Sequence, residues 1–226
     1  MKTAIVFGAT GLTGKELFNN LLVDERYEKI YIVVRKKRAK NYLKVDEIIF
    51  DFKDFSTLPQ EKINHVFCCL GTTIKKAGSQ EAQQIIDRDY PIAIAKYANE
   101  IKADKLVCIS SVGANKNSKN FYLRTKGEME EGVAANFTNS VFVRPSFLFG
   151  SRAEVRVGER LGIALFYLIN PFLPAKLSKY KGIGANKLSH LMIDVCYKNT
   201  PPILHYDEFM KYMSADVITY TKQQGF

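Results

Sequence analysis

The sequence predicts an α/β fold built on a doubly wound parallel sheet. Three observations support this prediction: short apolar segments rich in β-branched and aromatic residues recur through the first 150 residues, amphipathic helical patterns separate them, and closely spaced glycines follow the first segment. Continuous apolarity is typical of strands that are buried on both faces of a parallel sheet. Alternation of such strands with helices implies right-handed crossovers.

Strands are expected where an apolar segment is followed by polar or glycine-containing sequence, and helices where apolar residues recur at intervals of three or four. The predicted strands are Thr3–Phe7, Ile30–Val34, Glu47–Phe50, His65–Leu70, Leu106–Ser110 and Ser140–Val143. The predicted helices are Gly14–Val23, Gln80–Lys102, residues 158–170 and Gly184–Lys198.

The alternation of strands and helices changes after Gly150. The residues that follow, 151–226, are too few for a second fold of the same kind. We therefore expect a single domain over residues 1–226, in which residues 151–226 form a small cap. The cap is expected at the carboxyl ends of the strands, where ligands bind to open α/β sheets.

Composition limits the classes of protein that the chain can belong to. The 226 residues include 33 Lys and Arg against 23 Asp and Glu, a net charge of +10, and 46% are hydrophobic, which excludes disorder. The longest apolar run, Leu161–Ile169, is too short for a transmembrane helix. Four cysteines without a C-x-x-C pair and three scattered histidines predict buried thiols, no metal site and a reducing, cytoplasmic location.

Residues 8–14, with the spacing G-x-x-G-x-x-G, lie between the first strand and the first helix. Glycine permits a tight turn and a close approach of the backbone to a pyrophosphate, while the free N–H groups of a helix N-terminus favour negative charge. The common dinucleotide pattern is G-x-G-x-x-G, so the spacing differs, but the position between strand and helix predicts dinucleotide binding.

The end of the second predicted strand indicates which dinucleotide is bound. An NAD site carries an acid there that holds the ribose 2′-hydroxyl. This chain has Arg35-Lys36-Lys37-Arg38 instead, within residues 26–44, which hold eight basic residues and one acid. Arginine and lysine pair with a 2′-phosphate, so the sequence favours NADP(H). For Lys37 and Arg38, a solvated turn is the preferred interpretation.

Two further segments follow predicted strands at the same edge of the sheet. Asp51, after the third strand, is placed like an acid that faces adenine. Leu70-Gly71-Thr72, after the fourth strand, would run beside the ribose of the cofactor. Ordinary loop structure explains either segment equally well.

Tyr122 and Lys126 are four residues apart and therefore share one face of a helix. A phenol is a poor acid or base at neutral pH, and a neighbouring lysine cation favours its ionised form. Ser110 and Ser111 end the fifth predicted strand, where a hydroxyl can hydrogen-bond a carbonyl oxygen that becomes negative as hydride arrives. The combination predicts a reductase site.

Several longer strings carry a resemblance to a known family. They are Gly8-Ala9-Thr10-Gly11 with Thr13-Gly14, Cys68-Cys69-Leu70-Gly71-Thr72-Thr73, Asp87-Arg88-Asp89-Tyr90, Ser110-Ser111 with Gly113-Ala114, Tyr122-Leu123 with Lys126-Gly127-Glu128, and Arg144-Pro145. With them, residues 8–145 resemble an atypical short-chain dehydrogenase/reductase of the Tat-interacting-protein oxidoreductase branch. The resemblance implies a Rossmann fold that binds NAD(P).

By this resemblance Tyr122 would be the proton donor or acceptor, and Lys126 would activate it and bind the nicotinamide ribose. Ser111 would polarise the substrate carbonyl, with Ser110 as the second choice. Including the residues singled out above, the expected cofactor contacts are Gly8, Thr10, Gly11, Leu12, Thr13, Gly14, Arg35, Lys36, Asp51, Leu70, Gly71, Tyr122, Lys126, Leu148 and Arg156. The chain departs from classical members in its glycine spacing and in the ten residues between Ser111 and Tyr122.

The leading hypothesis is an NADPH-dependent reductase of a small carbonyl substrate. The alternative is a catalytically weak NADP(H)-binding redox sensor that acts through protein partners. Nucleic-acid binding through the basic residues is disfavoured, because no helix-turn-helix, zinc or aromatic stacking motif accompanies them. The identity of the substrate, the direction of the reaction and the oligomeric state remain open.

Overall fold

A computed structural model describes residues 1–37, 42–150 and 180–213. Its strands are β1 (Lys2–Phe7), β2 (Tyr27–Val34), β3 (Val45–Ile49), β4 (His65–Cys68), β5 (Lys105–Ile109), β6 (Ser140–Val143), β7 (Leu148–Phe149), β8 (Ile183–Gly184) and β9 (Ile203–Leu204). Seven of them form one parallel sheet in the order β3-β2-β1-β4-β5-β6-β9, and β7 and β8 pair separately.

This topology confirms the predicted doubly wound α/β fold and the six predicted strands. The second strand begins earlier than expected, at Tyr27, because it extends its pairing with β1 back to Lys2. The fourth strand ends at Cys68 and not at Leu70. The strand order reverses between β1 and β4, and ligands bind to such sheets at this point, beyond the carboxyl ends of the strands.

Helices cover both faces of the sheet. A π-helical turn lies at Ile85–Asp89, and short 3₁₀ turns lie at Phe55–Thr57 and Val195–Tyr197. The α-helices are α1 (Leu12–Val23), α2 (Ile74–Ala77), α3 (Gln80–Gln84), α4 (Tyr90–Glu100), α5 (Phe121–Asn136), α6 (Ala185–Asp194) and α7 (Tyr206–Tyr212).

The single helix predicted over Gln80–Lys102 is wrong in one respect. The structure divides it into α3, the π-helical turn and α4, and the helix ends at Glu100. In the π-helical turn the N–H of Tyr90 donates to the carbonyl of Ile85, five residues earlier.

Two apolar clusters hold the helices on the sheet. Leu17 of α1 and Leu188 of α6 belong to the cluster on one face, and Ile94 of α4 and Met129 of α5 belong to the cluster on the other. The side chains of Asn20 and Ser189 add a hydrogen bond of 2.7 Å between α1 and α6. Both faces of the sheet are therefore buried, which explains its continuously apolar strands.

The described residues after position 150 join the sheet and its helical layers. β9 pairs in parallel with β6, and α6 packs on α1. β8 pairs with β7. This pair lies next to the start of α1, because a Cβ on Gly150, directly after β7, would lie 2.7 Å from the Leu12 side chain. The predicted helix 158–170 and the rest of the expected cap lie outside the described residues.

Within residues 1–37, 42–150 and 180–213, every helix is too short or too polar to cross a bilayer. In the same residues, no three His, Cys, Asp or Glu side chains are grouped as ligands for a metal ion. Cys68 and Cys108, which are direct neighbours on β4 and β5, are buried free thiols within the apolar cluster.

The buried His65 at the start of β4 makes the stability of the fold sensitive to acid. Its Nδ1 lies 2.7 Å from the hydroxyl oxygen of Tyr27, and burial lowers the pKa of the imidazole from 6.5 to about 4. Between these two pH values the unfolded chain binds more protons than the folded one. The free energy of unfolding therefore falls as the pH drops through this range.

We expect His65→Asn to remove about 3 kcal/mol of the loss in stability that wild type suffers between pH 7 and pH 4. Asparagine keeps an acceptor near the position of Nδ1 but does not titrate. Urea unfolding at both pH values measures the difference. An equal loss of stability in variant and wild type would contradict this assignment.

Candidate functional site

The turn after β1 brings two backbone segments too close together for side chains. Gly8 has φ +86°, and a Cβ there would lie 2.8 Å from the carbonyl oxygen of Cys69. A Cβ on Gly14 would lie 2.1 Å from the carbonyl oxygen of Gly8. Gly11 donates its N–H to that same oxygen at 3.0 Å. Glycine is required at Gly8 and Gly14 by the fold itself, and the turn lies at the reversal of strand order.

The turn leaves the start of α1 open to a ligand. Gly11 is the N-cap and has no capping side chain, so the first N–H groups of this twelve-residue helix lack a side-chain acceptor. Thr10 and Gly11 are exposed, Leu12 is half-buried and Thr13 is buried. An exposed, uncapped helix N-terminus beside a glycine turn suits a pyrophosphate, as the sequence predicts.

Arg35 and Lys36 lie directly after β2, one strand away from the glycine turn. Both side chains are exposed, and neither pairs with an acid in the part of the chain that the structure describes. Two unneutralised cations at this edge can therefore receive an anionic group of a ligand.

Asp51 follows β3 but is bonded within its own turn. One carboxylate oxygen accepts the N–H of Lys53 at 3.1 Å, and the other lies 3.0 Å from the Lys53 ammonium. These contacts with Lys53 lower the pKa of the exposed Asp51 carboxyl. The next residue, Phe52, has φ +66° and stacks on Tyr90 with ring centroids 4.1 Å apart. The ring of Phe52 thus lies directly next to the position where Asp51 was expected to act.

Lys126 is a deeply buried charged group of the site. It lies on α5 one turn after Tyr122, which is about one third exposed, while Lys126 itself is only 2% exposed. The Lys126 ammonium lies 2.9 Å from Asp87 Oδ1, and the carbonyl oxygen of Ile109 is 3.5 Å away. Burial lowers the pKa of Lys126, but Asp87, Tyr122 and Cys68 together outweigh this and the net pKa is raised.

Asp87 is the residue that sequence reasoning did not assign to the site. It lies in the π-helical turn and is 1% exposed, and its Oδ2 accepts the N–H of Thr72 at 3.0 Å. The string Asp87-Arg88-Asp89-Tyr90 supported the family resemblance, but the helical pattern around it gave no reason to pair Asp87 with Lys126. A Cβ on Gly71 would lie 3.4 Å from Asp87 Oδ1, so the Leu70–Thr72 segment passes close to this pair.

The two serines after β5 differ in their surroundings. Ser110 is buried, and its hydroxyl has no hydrogen-bond partner among the described residues. Ser111 is half-buried, and its hydroxyl donates to the carbonyl of Val112 at 3.3 Å. Because Lys126 approaches the carbonyl of Ile109, the Ser110 backbone begins directly beside the lysine.

The short loop between Ser111 and Tyr122 is fixed against α5. A Cβ on Gly127 would lie 2.2 Å from the backbone nitrogen of Lys116, so the loop crosses the helix in direct contact. Asn115 donates its N–H to the carbonyl of Leu123 at 3.0 Å, and the Asn120 side chain caps the start of α5. Ten residues are therefore sufficient to bring the helix start back to the end of β5.

Leu148 and Arg156 complete the predicted contacts. Leu148 is half-buried on β7 and packs on the apolar cluster that includes α1. Gly150, two residues later, lies next to the Leu12 side chain. It therefore lies on the glycine-turn side of the site. Arg156 lies outside the described residues.

A parallel sheet with its glycine turn at the reversal of strand order defines a Rossmann-fold nucleotide-binding protein. The chain belongs to the NAD(P)H-binding family, whose model matches residues 8–160. It is 38% identical over 187 residues to Protein FMP52, mitochondrial, of Candida glabrata, a match that covers 80% of this chain and 78% of the relative. It is 33% identical over 171 residues to Protein HTATIP2 of Rattus norvegicus, with 73% and 70% covered.

Solved structures share the fold at low sequence identity. UDP-glucuronic acid 4-epimerase from Bacillus cereus, in complex with UDP-glucuronic acid and NAD, has a TM-score of 0.65 at 15% identity, covering 90% of this chain and 77% of the epimerase. The PhqB reductase domain from Penicillium fellutanum has a TM-score of 0.61 at 16% identity, covering 99% and 76%. The resemblance to the atypical short-chain dehydrogenase/reductases is confirmed, and the chain is an NAD(P)-binding, oxidoreductase-like protein.

The cytoplasmic location predicted from the sequence is wrong. Relatives from Candida glabrata, Eremothecium gossypii and Coccidioides immitis are named mitochondrial proteins. The prediction failed because free thiols indicate a reducing compartment and do not distinguish one such compartment from another.

We expect Gly14→Ala to weaken NAD(P)H binding at least tenfold, because the new Cβ would force α1 away from the Gly8 carbonyl and open the pyrophosphate site. Gly184→Ala is the matched control, since a Cβ there has no atom within 4 Å. NADPH fluorescence titration measures both affinities, and thermal unfolding reports stability. Equal affinities in two folded variants would show that the turn does not hold the cofactor.

Proposed function

We propose that the protein is an NADPH-dependent reductase of small carbonyl compounds, with Tyr122 as the proton donor and Lys126 as its activator. One observation carries this proposal: a buried, ion-paired ammonium on α5 lies one turn from a partly exposed phenol, at the sheet edge that holds the glycine turn. Burying a lysine and its carboxylate partner costs desolvation free energy, so this ion pair is weak evidence for stability. It supports a functional role for the position of the lysine.

The glycine turn fits a dinucleotide because its backbone lies where a Cβ could not be accommodated. Gly8, Thr10, Gly11, Leu12, Thr13 and Gly14 would hold the pyrophosphate against the start of α1. Leu70 and Gly71 would line the ribose side, and Leu148 the opposite side. Lys126 would bind hydroxyls of the nicotinamide ribose. When bound, NADPH supplies a hydride to the carbonyl carbon.

The side chains of the site donate the proton and stabilise the charge that remains. The Tyr122 hydroxyl donates it to the carbonyl oxygen as negative charge develops there, and the Lys126 ammonium stabilises the phenolate that remains. A serine hydroxyl donates a hydrogen bond to the same oxygen. The sequence favours Ser111 for this role, but the buried Ser110 hydroxyl, which lacks a partner among the described residues, supports Ser110.

Cofactor choice rests on Arg35 and Lys36. Their exposed charges, unpaired with acids among the described residues, support binding of a 2′-phosphate and hence NADPH over NADH. Asp51, which is paired with Lys53, would contribute less to the adenosine site than the neighbouring ring of Phe52. The names of the fungal relatives support a mitochondrial site for the reaction.

Tyr122→Phe should lower the rate of carbonyl reduction by about 10²- to 10⁴-fold, because the proton donor is lost. NADPH affinity should be retained, since the variant loses only the hydroxyl of a residue that is about one third exposed. Loss of NADPH absorbance over a panel of aldehydes, ketones and quinones measures the rate. Tyr31→Phe, which removes a phenol that bonds to Glu61 away from the site, is the control. If wild type binds NADPH but reduces no substrate, the reductase proposal fails and a redox sensor becomes the better explanation. Equal rates in wild type and Tyr122→Phe would reject Tyr122 as the proton donor.

Reversing two charges tests the choice of cofactor. The double variant Arg35→Glu/Lys36→Glu should weaken NADPH binding by about 10- to 100-fold and leave NADH binding within about threefold, because only the 2′-phosphate interaction is lost. Lys96→Glu/Lys102→Glu, on exposed lysines in and after α4, controls for net charge. Fluorescence titration with both nucleotides provides the comparison. Equal weakening for NADPH and NADH would exclude a 2′-phosphate contact.

A further inference from the structure

Asp87 joins three parts of the site through one carboxylate. Oδ1 lies 2.9 Å from the ammonium of Lys126 on α5, and Oδ2 accepts the N–H of Thr72 in the segment after β4. The side chain of Gln83 donates to the carbonyl of Thr72 at 3.3 Å, which fixes the same segment from α3. The carboxylate is therefore held at both oxygens, inside the protein.

Asp87 lies within the π-helical turn between α3 and α4. Gln83, four residues earlier, shares its inward side, and both residues are buried. Such turns are uncommon and occur frequently at functional sites. The following residue, Arg88, points instead to Glu128 at 3.0 Å and to Asp89 at 2.7 Å.

We propose that Asp87 is a positioning residue, which keeps the Lys126 ammonium protonated and fixed beside Tyr122 and links it to the Leu70–Thr72 segment. This inference rests on the proposed reductase function. It adds a residue that acts through Lys126 and does not itself touch the substrate.

The surroundings of Lys126 explain why it needs this partner. Among the residues that the structure describes, the titratable groups around it are Asp87 from the π-helical turn, Tyr122 from its own helix, Cys68 from β4 and Cys108 from β5. Asp87 is the only carboxylate in this set. Burial alone lowers the pKa of a lysine, so without Asp87 the ammonium is expected to lose its proton at a lower pH.

The link to Thr72 has a second consequence. The backbone of Leu70 and Gly71 is expected beside the cofactor, and Gly71 lies close enough to Asp87 that a Cβ would be 3.4 Å from Oδ1. A shift of the carboxylate therefore moves both the lysine and the wall of the cofactor site. Loss of Asp87 should change the rate more than the affinity for NADPH, because Thr72 keeps an acceptor in an asparagine variant.

The test is Asp87→Asn, examined by NMR of ¹³C-labelled lysine side chains in the protein without cofactor. Lys126→Arg identifies the Lys126 resonance. We expect Lys126 to titrate at a lower pH in Asp87→Asn than in wild type, and the alkaline limb of the kcat profile to move to lower pH with it. Above that limb, kcat should fall at least tenfold, while the affinity for NADPH changes less than about threefold.

Two variants separate positioning from general stability. Glu130→Gln breaks another buried ion pair of α5, with Arg144, and should lower stability without moving the Lys126 titration. Asp87→Glu keeps a carboxylate and should restore the wild-type titration. If Lys126 titrates at the same pH in Asp87→Asn as in wild type, the proposal is wrong.

Failure to fold would not leave the question open. Should Asp87→Asn be unfolded, the wild-type titration decides: the Lys126 ammonium must persist to a higher pH than the ordinary lysine pKa of 10.5, and earlier loss overturns the proposal. Because the NMR titration needs no substrate, it is independent of the reductase proposal. A shifted titration in a protein that reduces no carbonyl would retain the positioning role and reject the reaction.

Discussion

The buried ion pair between Lys126 and Asp87 is the interaction on which the site depends. It connects α5, the π-helical turn and the segment after β4, and it lies below the sheet edge where the glycine turn opens. A buried ion pair contributes little net stability compared with apolar packing, because both charges lose their water. The ion pair matters because it places a cation one turn from Tyr122, where a developing negative charge can be stabilised.

Local sequence determines the sheet well. Each of the strands β1 to β6 is apolar enough to be recognised on its own, and the glycine turn is identified from the spacing of Gly8, Gly11 and Gly14 directly after β1. Tyr122 and Lys126 could be paired because helix geometry relates residues four apart. Chain order then placed them at the carboxyl edge of the sheet.

Features that arise from tertiary contacts could not be predicted in this way. Asp87 lies in a segment with ordinary helical periodicity, and the single extra residue that makes a π-helical turn leaves no local pattern. The strand Ile203–Leu204 has only two residues and forms because β6 offers a free edge. Asp51 has the expected position but is neutralised by Lys53, a contact that depends on the turn at Phe52. The names of the relatives indicate a mitochondrial location, and the composition of the core does not determine the location of a protein in the cell.

We propose that Tyr122 and Lys126 act on a nicotinamide held by the glycine turn, and a crystal structure of the protein with NADP⁺ tests this proposal most directly. We expect the pyrophosphate at the start of α1, the 2′-phosphate at Arg35 and Lys36, and the nicotinamide beside the Tyr122 hydroxyl, with Lys126 on the ribose and still paired with Asp87. A nicotinamide bound away from Tyr122, or a Lys126 ammonium that does not face the ribose, would contradict it.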